Sequence, residues 1–167
     1  EWYERMGWEC DFLHYGTPAR RIAESIPASR RILLIHNVKT TIEDIATIEQ
    51  HFTNGVYWVL CPESNRFISR TEPPVETLRN AGVKIAIGTD SLASARHLSM
   101  VENMRLLGDI PLDELLIWAT RNGAEALGLE ASLGDIRVGT SPGIVVIEGA
   151  DLQNMRVTDQ TRSRRII

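Results

Sequence analysis

Polar residues follow three apolar segments of the sequence, each at the point where a short β-strand is expected to end. His36 follows "RRILLI", the polar run "CPESN" ending at Asn65 follows "GVYWVL", and Asp90 and Ser91 close "KIAIGTDS". Helical patterns separate these segments, which predicts parallel strands. Because the carboxyl ends of parallel strands meet at one edge of a sheet, we expect these side chains to lie where barrels and doubly wound sheets bind ligands.

An imidazole near a carboxylate suits more than one kind of chemistry. His36 and Asp90 are residue types that ligate a divalent metal such as zinc. They also suit a general acid and a general base that act on a water molecule. A structural interpretation exists as well, because Asp and Ser are frequent helix N-caps after a strand. The spacing of the residues leaves these interpretations open.

The elements that must position these residues follow from apolar periodicity and turn residues. Residues 31–129 have the order β-α-β-α-β-α-α, which predicts a parallel sheet with helical crossovers. Thr40 and Glu43 have the spacing of a capping box, and "PLDELLIWATRNGAEALGL" predicts a single helix. Further on, "GIVVIEG" predicts a short strand and "MRVTDQTRSRRII" offers a second. Two units are therefore expected, residues 1–133 and residues 134–167.

Composition narrows the class of protein. The 167 residues are 43% hydrophobic and 24% charged, with a net charge of -4, which is ordinary for a soluble globular domain. No basic face favours nucleic acid, no apolar run reaches the roughly 20 residues of a membrane span, and no signal peptide is recognisable. Cys10 and Cys61 are far apart, which excludes a zinc-binding Cys motif and favours a reducing, cytoplasmic location.

Four motifs together resemble a known family. "LLIHNV", "CPESN", "IAIGTDSLAS" and "ATRNGAEALGL" have the order and approximate spacing found in the amidohydrolase superfamily, in its cytosine deaminase, guanine deaminase and chlorohydrolase-like branch. "LGDIRVGTSPGIVVIE" is similar to the segment that returns to that family's small composite β-domain, although Ser141-Pro142-Gly143 stands where Ala-Asp is usual. The resemblance implies an α/β fold: the C-terminal part of a (β/α)8 TIM-type barrel, strands six to eight with their helices, plus a short β segment of the small domain.

The resemblance also implies roles for the candidate residues. Asp90 matches the aspartate that ligates the metal and accepts a proton from the attacking water. His36 matches a histidine that contacts the water or the substrate, or ligates a second metal, so both residues are expected in catalysis and metal binding. Asn65 and Ser91 are expected on the substrate side: Asn65 in the loop after strand seven, and Ser91 orienting Asp90 or capping the next helix. The expected cofactor is a divalent metal, zinc ahead of iron or manganese.

The ligand set that the resemblance implies is incomplete in this sequence. The family carries a His-x-His motif and a further histidine on earlier strands, whereas His14, His36, His51 and His97 form no such motif. We therefore expect a fragment, inactive alone, of a metal-dependent hydrolase of non-peptide carbon–nitrogen bonds, such as an amidohydrolase or a nucleobase or aromatic deaminase. Its open sheet edges and uncovered apolar face are expected to drive association.

The expected partners are a small-molecule substrate and either further copies of the chain, in a homo-oligomer, or the N-terminal part of the same protein. A function of a different class remains open, namely a non-catalytic α/β binding or assembly module that retains the half-barrel without a metal. A flavodoxin-like domain is disfavoured, because no Gly-rich phosphate loop follows any of the predicted strands.

Overall fold

The fold is built around a small parallel β-sheet. The computed structural model describes residues 2–9 and 11–166 of the chain. Strands β1 (Ile32–Ile35), β2 (Val56–Leu60) and β3 (Ile85–Ile87) pair in the order β1-β2-β3, and both pairings are parallel. The mixed α/β class and the parallel sheet expected from the sequence are therefore confirmed.

Short helices surround the sheet. They are α1 (Trp2–Arg5), α2 (Pro18–Ser25), α3 (Ile42–His51), α4 (Pro62–Ile68), α5 (Val75–Asn80), α6 (Met100–Leu106), α7 (Leu112–Ala119) and α8 (Arg121–Leu127), with a 3-10 helix at Asp11–Tyr15. Helices of this length are marginal in isolation, so their stability depends on packing against the sheet. Within the described residues, no helix is long and apolar enough to cross a membrane.

One face of the sheet carries the hydrophobic core. Trp58 and Leu60 of β2 and Ile85 of β3 are almost fully buried, and they share a cluster with Leu78 of α5 and Leu115 of α7. These side chains alternate along each strand, as expected when one face of a sheet packs on helices. Burial of this kind stabilises the fold by roughly 25 cal/mol for each Å² of apolar surface removed from water.

The opposite face of the sheet is partly exposed. Leu33 and Ile35 of β1 alternate with the core residues and leave 36% and 53% of their surface accessible. In the part of the chain that the structure describes, β1 and β3 are the outer strands of this sheet. Their outer backbone groups therefore have no neighbouring strand to pair with there, and β1 in particular presents an edge with exposed apolar side chains.

Helix α4 is absent from the expected element order. It places Asn65 in a helix rather than in a loop, so that expectation was wrong. Pro62 stands at the first helical position, where its fixed φ and missing N–H are tolerated, and the Asn65 N–H donates to the Cys61 carbonyl at 2.9 Å. A helix of two turns made largely of polar residues has too few apolar positions to show a period in the sequence.

The capping box of α3 lies one residue later than expected. Thr41 Oγ1 accepts a hydrogen bond from the Asp44 N–H, and the Asp44 carboxylate accepts one from the Thr41 N–H. Thr40 and Glu43 have the same spacing but do not form the box. Two adjacent threonines followed by two adjacent acids satisfy the motif in either register, and sequence spacing does not distinguish them.

The single helix expected over residues 111–129 is divided into α7 and α8. The break is at Thr120, whose φ of -126° and ψ of -78° lie outside the helical region. Helix α8 then ends at Gly128, which takes a left-handed conformation with φ 72°, a common termination for which glycine carries no Cβ penalty.

A separate antiparallel pair is formed by β4 (Val145–Glu148) and β5 (Arg162–Arg165). β4 confirms the strand predicted in "GIVVIEG", and β5 lies within the segment that offered a second strand. The Arg105 guanidinium of α6 donates to the Thr158 and Thr161 carbonyls at 3.0 and 2.9 Å and so connects this region to the helices around the sheet. The expected division of the chain into two units stays a prediction.

Candidate active site

Polar side chains at the carboxyl ends of the three parallel strands converge at one edge of the sheet. His36 directly follows β1, α4 with Asn65 follows β2, and Asp90 follows β3. His36 Nε2 lies 3.8 Å from Asp90 Oδ2, and Asn65 contacts His36. The expected convergence of these three residues is therefore confirmed, whereas their individual roles stay predictions.

The backbone at both strand ends is left-handed. φ is 75° at His36 and 59° at Asp90, a region that residues other than glycine rarely adopt. Such a conformation costs roughly 1–3 kcal/mol and persists only where surrounding contacts hold it. The contacts that hold His36 and Asp90 are therefore central to the site.

Two buried serines hold the Asp90 carboxylate. Ser64 Oγ in α4 and Ser94 Oγ in the turn after β3 donate hydrogen bonds to Asp90 Oδ2 at 2.6 and 2.9 Å. The hydrogen bond from Ser64, then that from Ser94, and then the charge of a protonated His36 lower the pKa of the Asp90 carboxyl below its usual value, although partial burial opposes them. Asp90 is therefore an ionised acceptor at neutral pH.

The His36 imidazole is held by the Asn65 side chain. His36 Nδ1 and Asn65 Oδ1 are 2.9 Å apart, and Asn65 Nδ2 donates to the His36 carbonyl oxygen at 3.4 Å. Asn65 is only 2% exposed, so its amide faces His36 rather than an open pocket. The expected contact of Asn65 with substrate remains untested, and its observed contacts are with the histidine.

Ser91 uses its side chain locally. Its Oγ accepts from the Ala93 N–H at 3.3 Å, and its backbone N–H donates to the Asp90 carboxylate. The next helix, α6, is capped instead by Ser99, whose side chain accepts from the Glu102 N–H. Of the two roles expected for Ser91, capping the next helix was wrong, because the chain first makes a separate turn between the two serines, whereas orienting Asp90 stays a prediction.

Cys61 lies beneath the site, between β2 and α4. It is 2% exposed, and burial, followed by the negative charge of Asp90, raises the pKa of its thiol from 9.0 to about 11. A thiol that stays protonated at neutral pH is a poor nucleophile and a poor metal ligand. Cys10, the other cysteine of the sequence, lies outside the described residues.

Two other histidines stand apart from this site. His14 is exposed on the 3-10 helix and contacts the Asp11 carbonyl oxygen. His51 ends α3, and its Nε2 lies 2.9 Å from the Ile26 carbonyl oxygen. Both contacts are with nearby backbone, so neither ring supplies a donor to the pair formed by His36 and Asp90.

His36 and Asp90 fit a metal site in kind, but they make only part of one. An imidazole nitrogen and a carboxylate oxygen are ligands that zinc accepts, and a catalytic zinc commonly has three protein ligands. The hydrogen bond at Nδ1 leaves Nε2 of His36 directed toward Asp90. Among residues 2–9 and 11–166, no group of three or more His, Cys, Asp or Glu side chains is placed to hold a metal ion.

A groove of about 820 Å³ lies beside Ser94, between α4, the turn after β3 and α6. Its volume is in the range of small-molecule sites. His97 lies in its wall, in the loop that precedes α6. The turn is tied to α4 by Glu63, whose Oε1 accepts from the Arg96 N–H at 2.9 Å.

Known proteins are similar to this chain in sequence and in fold. The model of the amidohydrolase family matches residues 12–167. A 5-methylthioadenosine/S-adenosylhomocysteine deaminase from Moorella thermoacetica is 34% identical over 128 residues, which are 70% of this chain and 29% of that protein. An adenosine deaminase from Xanthomonas campestris with bound zinc has a TM-score of 0.72 at 29% identity, over 86% of this chain and 35% of that one. An atrazine chlorohydrolase from Arthrobacter aurescens complexed with zinc has a TM-score of 0.71 at 25% identity, over 86% and 36%.

These matches cover most of the chain but only part of each relative. The chain spans from 29% of the Moorella deaminase to 36% of the Arthrobacter chlorohydrolase. Its family match and the likeness of its fold to amidohydrolase structures confirm the resemblance seen in the four motifs. The chain belongs to the amidohydrolase family.

Proposed function

We propose that this chain forms part of a metal-dependent hydrolase that deaminates an aminopurine nucleoside or a related aromatic amine. The observation that carries the proposal is the pair formed by His36 Nε2 and Asp90 Oδ2, 3.8 Å apart at the carboxyl ends of parallel strands. Relatives that share this family are named as deaminases of 5-methylthioadenosine, S-adenosylhomocysteine and adenosine. Such substrates carry the carbon–nitrogen bond that the proposed reaction cleaves.

His36 and Asp90 would hold the divalent metal, which we propose is zinc, together with donors from outside this sequence. When bound, the metal lowers the pKa of a water molecule toward neutrality and so makes it a nucleophile. Asp90, ionised at neutral pH, accepts the proton of the attacking water. Where His36 does not itself ligate a metal, its Nε2, the ring nitrogen that Asn65 leaves free, would instead orient the water or the substrate.

The proposal assigns places in a complete barrel to the observed strands. β1, β2 and β3 correspond to barrel strands six, seven and eight, and β4 and β5 belong to a small composite β-domain. The parallel order β1-β2-β3 and the separate antiparallel pair support this assignment. The exposed outer edge of β1 is where a preceding barrel strand would pair.

A second candidate is a binding or assembly module that uses the same half-barrel without a metal. The observation that favours it is the donor count, since the described residues bring only two metal-ligating side chains together at the sheet edge. The two candidates differ in turnover, because a binding module has no use for an ionised proton acceptor beside a metal.

The test compares the complete gene product with the 167-residue chain. Both are supplied with zinc, and ammonia release is measured with 5-methylthioadenosine and adenosine, while chloride release is measured with atrazine. We expect deamination by the complete protein and none by the chain alone. Chloride release without ammonia release would assign dechlorination instead. No turnover of either class by the zinc-loaded complete protein would favour the binding module.

A further inference from the structure

We propose that Asn65 is a positioning residue that keeps a proton on Nδ1 of His36, so that Nε2 is the only ring nitrogen free to exchange a proton or to bind an electron-pair acceptor. The use made of Nε2 rests on the proposed function. The hydrogen bond between Asn65 Oδ1 and His36 Nδ1, called the lock below, is a property of the folded chain and can be tested without measuring any activity.

The two contacts of the Asn65 amide define its orientation. The amide nitrogen donates to the His36 carbonyl oxygen at 3.4 Å, so the amide oxygen is the atom that lies 2.9 Å from His36 Nδ1. An amide oxygen only accepts hydrogen bonds, so Nδ1 must carry the proton between them. The reversed amide would place two carbonyl oxygens against each other and lose the second hydrogen bond.

Asn65 is itself held in place by the fold. Asn65 is 2% exposed, and its backbone N–H donates to the Cys61 carbonyl at 2.9 Å within α4. Its side chain therefore approaches the ring from a fixed direction. It also contacts the backbone of His36, whose left-handed φ of 75° requires such support. One side chain thus fixes both the direction of the imidazole and the position of its proton.

A proton fixed on Nδ1 determines what Nε2, the other ring nitrogen, can bind. With Nδ1 protonated, neutral His36 presents a lone pair at Nε2 toward Asp90 Oδ2, 3.8 Å away. Two electron-rich atoms facing each other attract a cation or a hydrogen-bond donor between them. In each of these states Nδ1 keeps its proton, so every exchange with a ligand takes place at Nε2.

The lock is tested by nitrogen NMR of the ¹⁵N-labelled 167-residue chain. Long-range ¹H–¹⁵N spectra distinguish protonated from unprotonated ring nitrogens, and His36 is assigned as the signal missing from His36→Gln. Spectra are taken at pH values high enough that the imidazole signals no longer change. We expect the wild-type His36 to be protonated at Nδ1 and unprotonated at Nε2.

Three variants separate the lock from a general structural role. Asn65→Leu removes the acceptor at similar size, and we expect most of the protons to move from Nδ1 to Nε2. Asn65→Asp keeps an acceptor oxygen, so it should retain the proton on Nδ1. Ser64→Ala is the matched control: it alters the neighbouring buried residue and removes a bond to Asp90, yet should leave the His36 tautomer unchanged.

A neutral wild-type His36 ring that carries its single proton on Nε2 would overturn the proposal, as would a neutral ring in Asn65→Leu with its proton still on Nδ1. If Asn65→Leu does not fold, the wild-type and Asn65→Asp spectra decide, since an Nδ1 without a proton in either one contradicts the proposal. Because no turnover is measured, a positive result stands even if the complete protein proves not to be a deaminase.

Discussion

At the scale of single residues, Asp90 combines a charge with a fixed direction. Two serine hydroxyl groups bind the same carboxylate oxygen, and the resulting low pKa keeps the group ionised at neutral pH, as the proposed reaction requires. Its side chain remains 30% accessible, so a ligand can reach it. A helix cap needs neither buried serines nor a facing imidazole, and these contacts favour the chemical interpretation of Asp90.

In the complete protein, Asp90→Asn should lower turnover by a factor of about 10² or more, because the amide cannot accept the proton of the attacking water. The fold should be little affected, because the amide has the same shape and the serine hydroxyls can rotate to accept from it. Steady-state kinetics and thermal unfolding measure the two effects. Ser91→Ala is the comparison and should cost far less. Unchanged turnover in Asp90→Asn would show that Asp90 is only structural.

Cys61 should make stability depend on pH in the alkaline range. The thiol pKa is about 11 in the folded chain and 9.0 ordinarily. Between these values the unfolded chain has lost a proton that the folded chain keeps, so the free energy of unfolding should fall by about 1.4 kcal/mol per pH unit. The stability that the buried thiol of Cys61 supplies is therefore fully present below pH 9.0 and is lost as the pH rises toward the folded-state pKa of about 11.

Urea unfolding of the wild type and of Cys61→Ala at increasing pH isolates this effect from other titrating groups. The difference in slope between the two proteins is the prediction. Parallel curves for the two proteins would contradict it and would mean that the thiol ionises as easily in the folded chain as in the unfolded one.

At the scale of elements, α4 is the structure that assembles the site. It begins at Pro62 directly after β2, and its adjacent residues Ser64 and Asn65 reach toward opposite sides, to Asp90 after β3 and to His36 after β1. Successive helix residues are about 100° apart around the axis, so two neighbours can contact two flanking strand ends. The middle strand thus contributes the residues that hold its neighbours.

The cap of α3 allows a test between two adjacent residues. Thr41→Ala should lower the free energy of unfolding by about 1 kcal/mol, because it removes the acceptor for the Asp44 N–H. Thr40→Ala, the position favoured by sequence spacing, should have little effect. Chemical denaturation of both variants measures the difference. A larger loss in Thr40→Ala would place the capping box in the other register.

At the scale of the whole molecule, the open side of the sheet should drive association. Ile35 is 53% exposed on the outer strand β1, and an apolar edge strand is a site for pairing with another chain. We expect the isolated chain to form dimers or larger species in sedimentation at tens of micromolar. Ile35→Lys should shift it toward monomer.

Ile136→Lys serves as the control for this experiment. Ile136 is 82% exposed but lies outside the sheet, in the segment between α8 and β4, so the same change of charge there should leave the association unchanged. A wild-type chain that sediments as a monomer would contradict the prediction, and equal effects of the two lysines would attribute the association to charge rather than to the edge strand.

The sequence by itself determined the alternation of strands and helices and the meeting of His36 with Asp90. Both follow from local patterns: short apolar runs define the strands, and parallel pairing brings their carboxyl ends to one edge. The "CPESN" and "GTDSLAS" motifs contain Ser64, Asn65 and Ser94, but their spacing in the sequence did not predict that these side chains contact His36 or Asp90.

Only the tertiary structure decided how the pair is held. Ser64 is 26 residues from Asp90, and Asn65 is 29 residues from His36. Whether such side chains meet depends on where α4 begins and on its rotation about its axis. Both are decided by where β2 ends and by the packing of α4 against α6, for which one short polar segment carries no periodic signal. The direction of each hydrogen bond, and therefore the ring nitrogen of His36 that carries the proton, is a property of the folded chain.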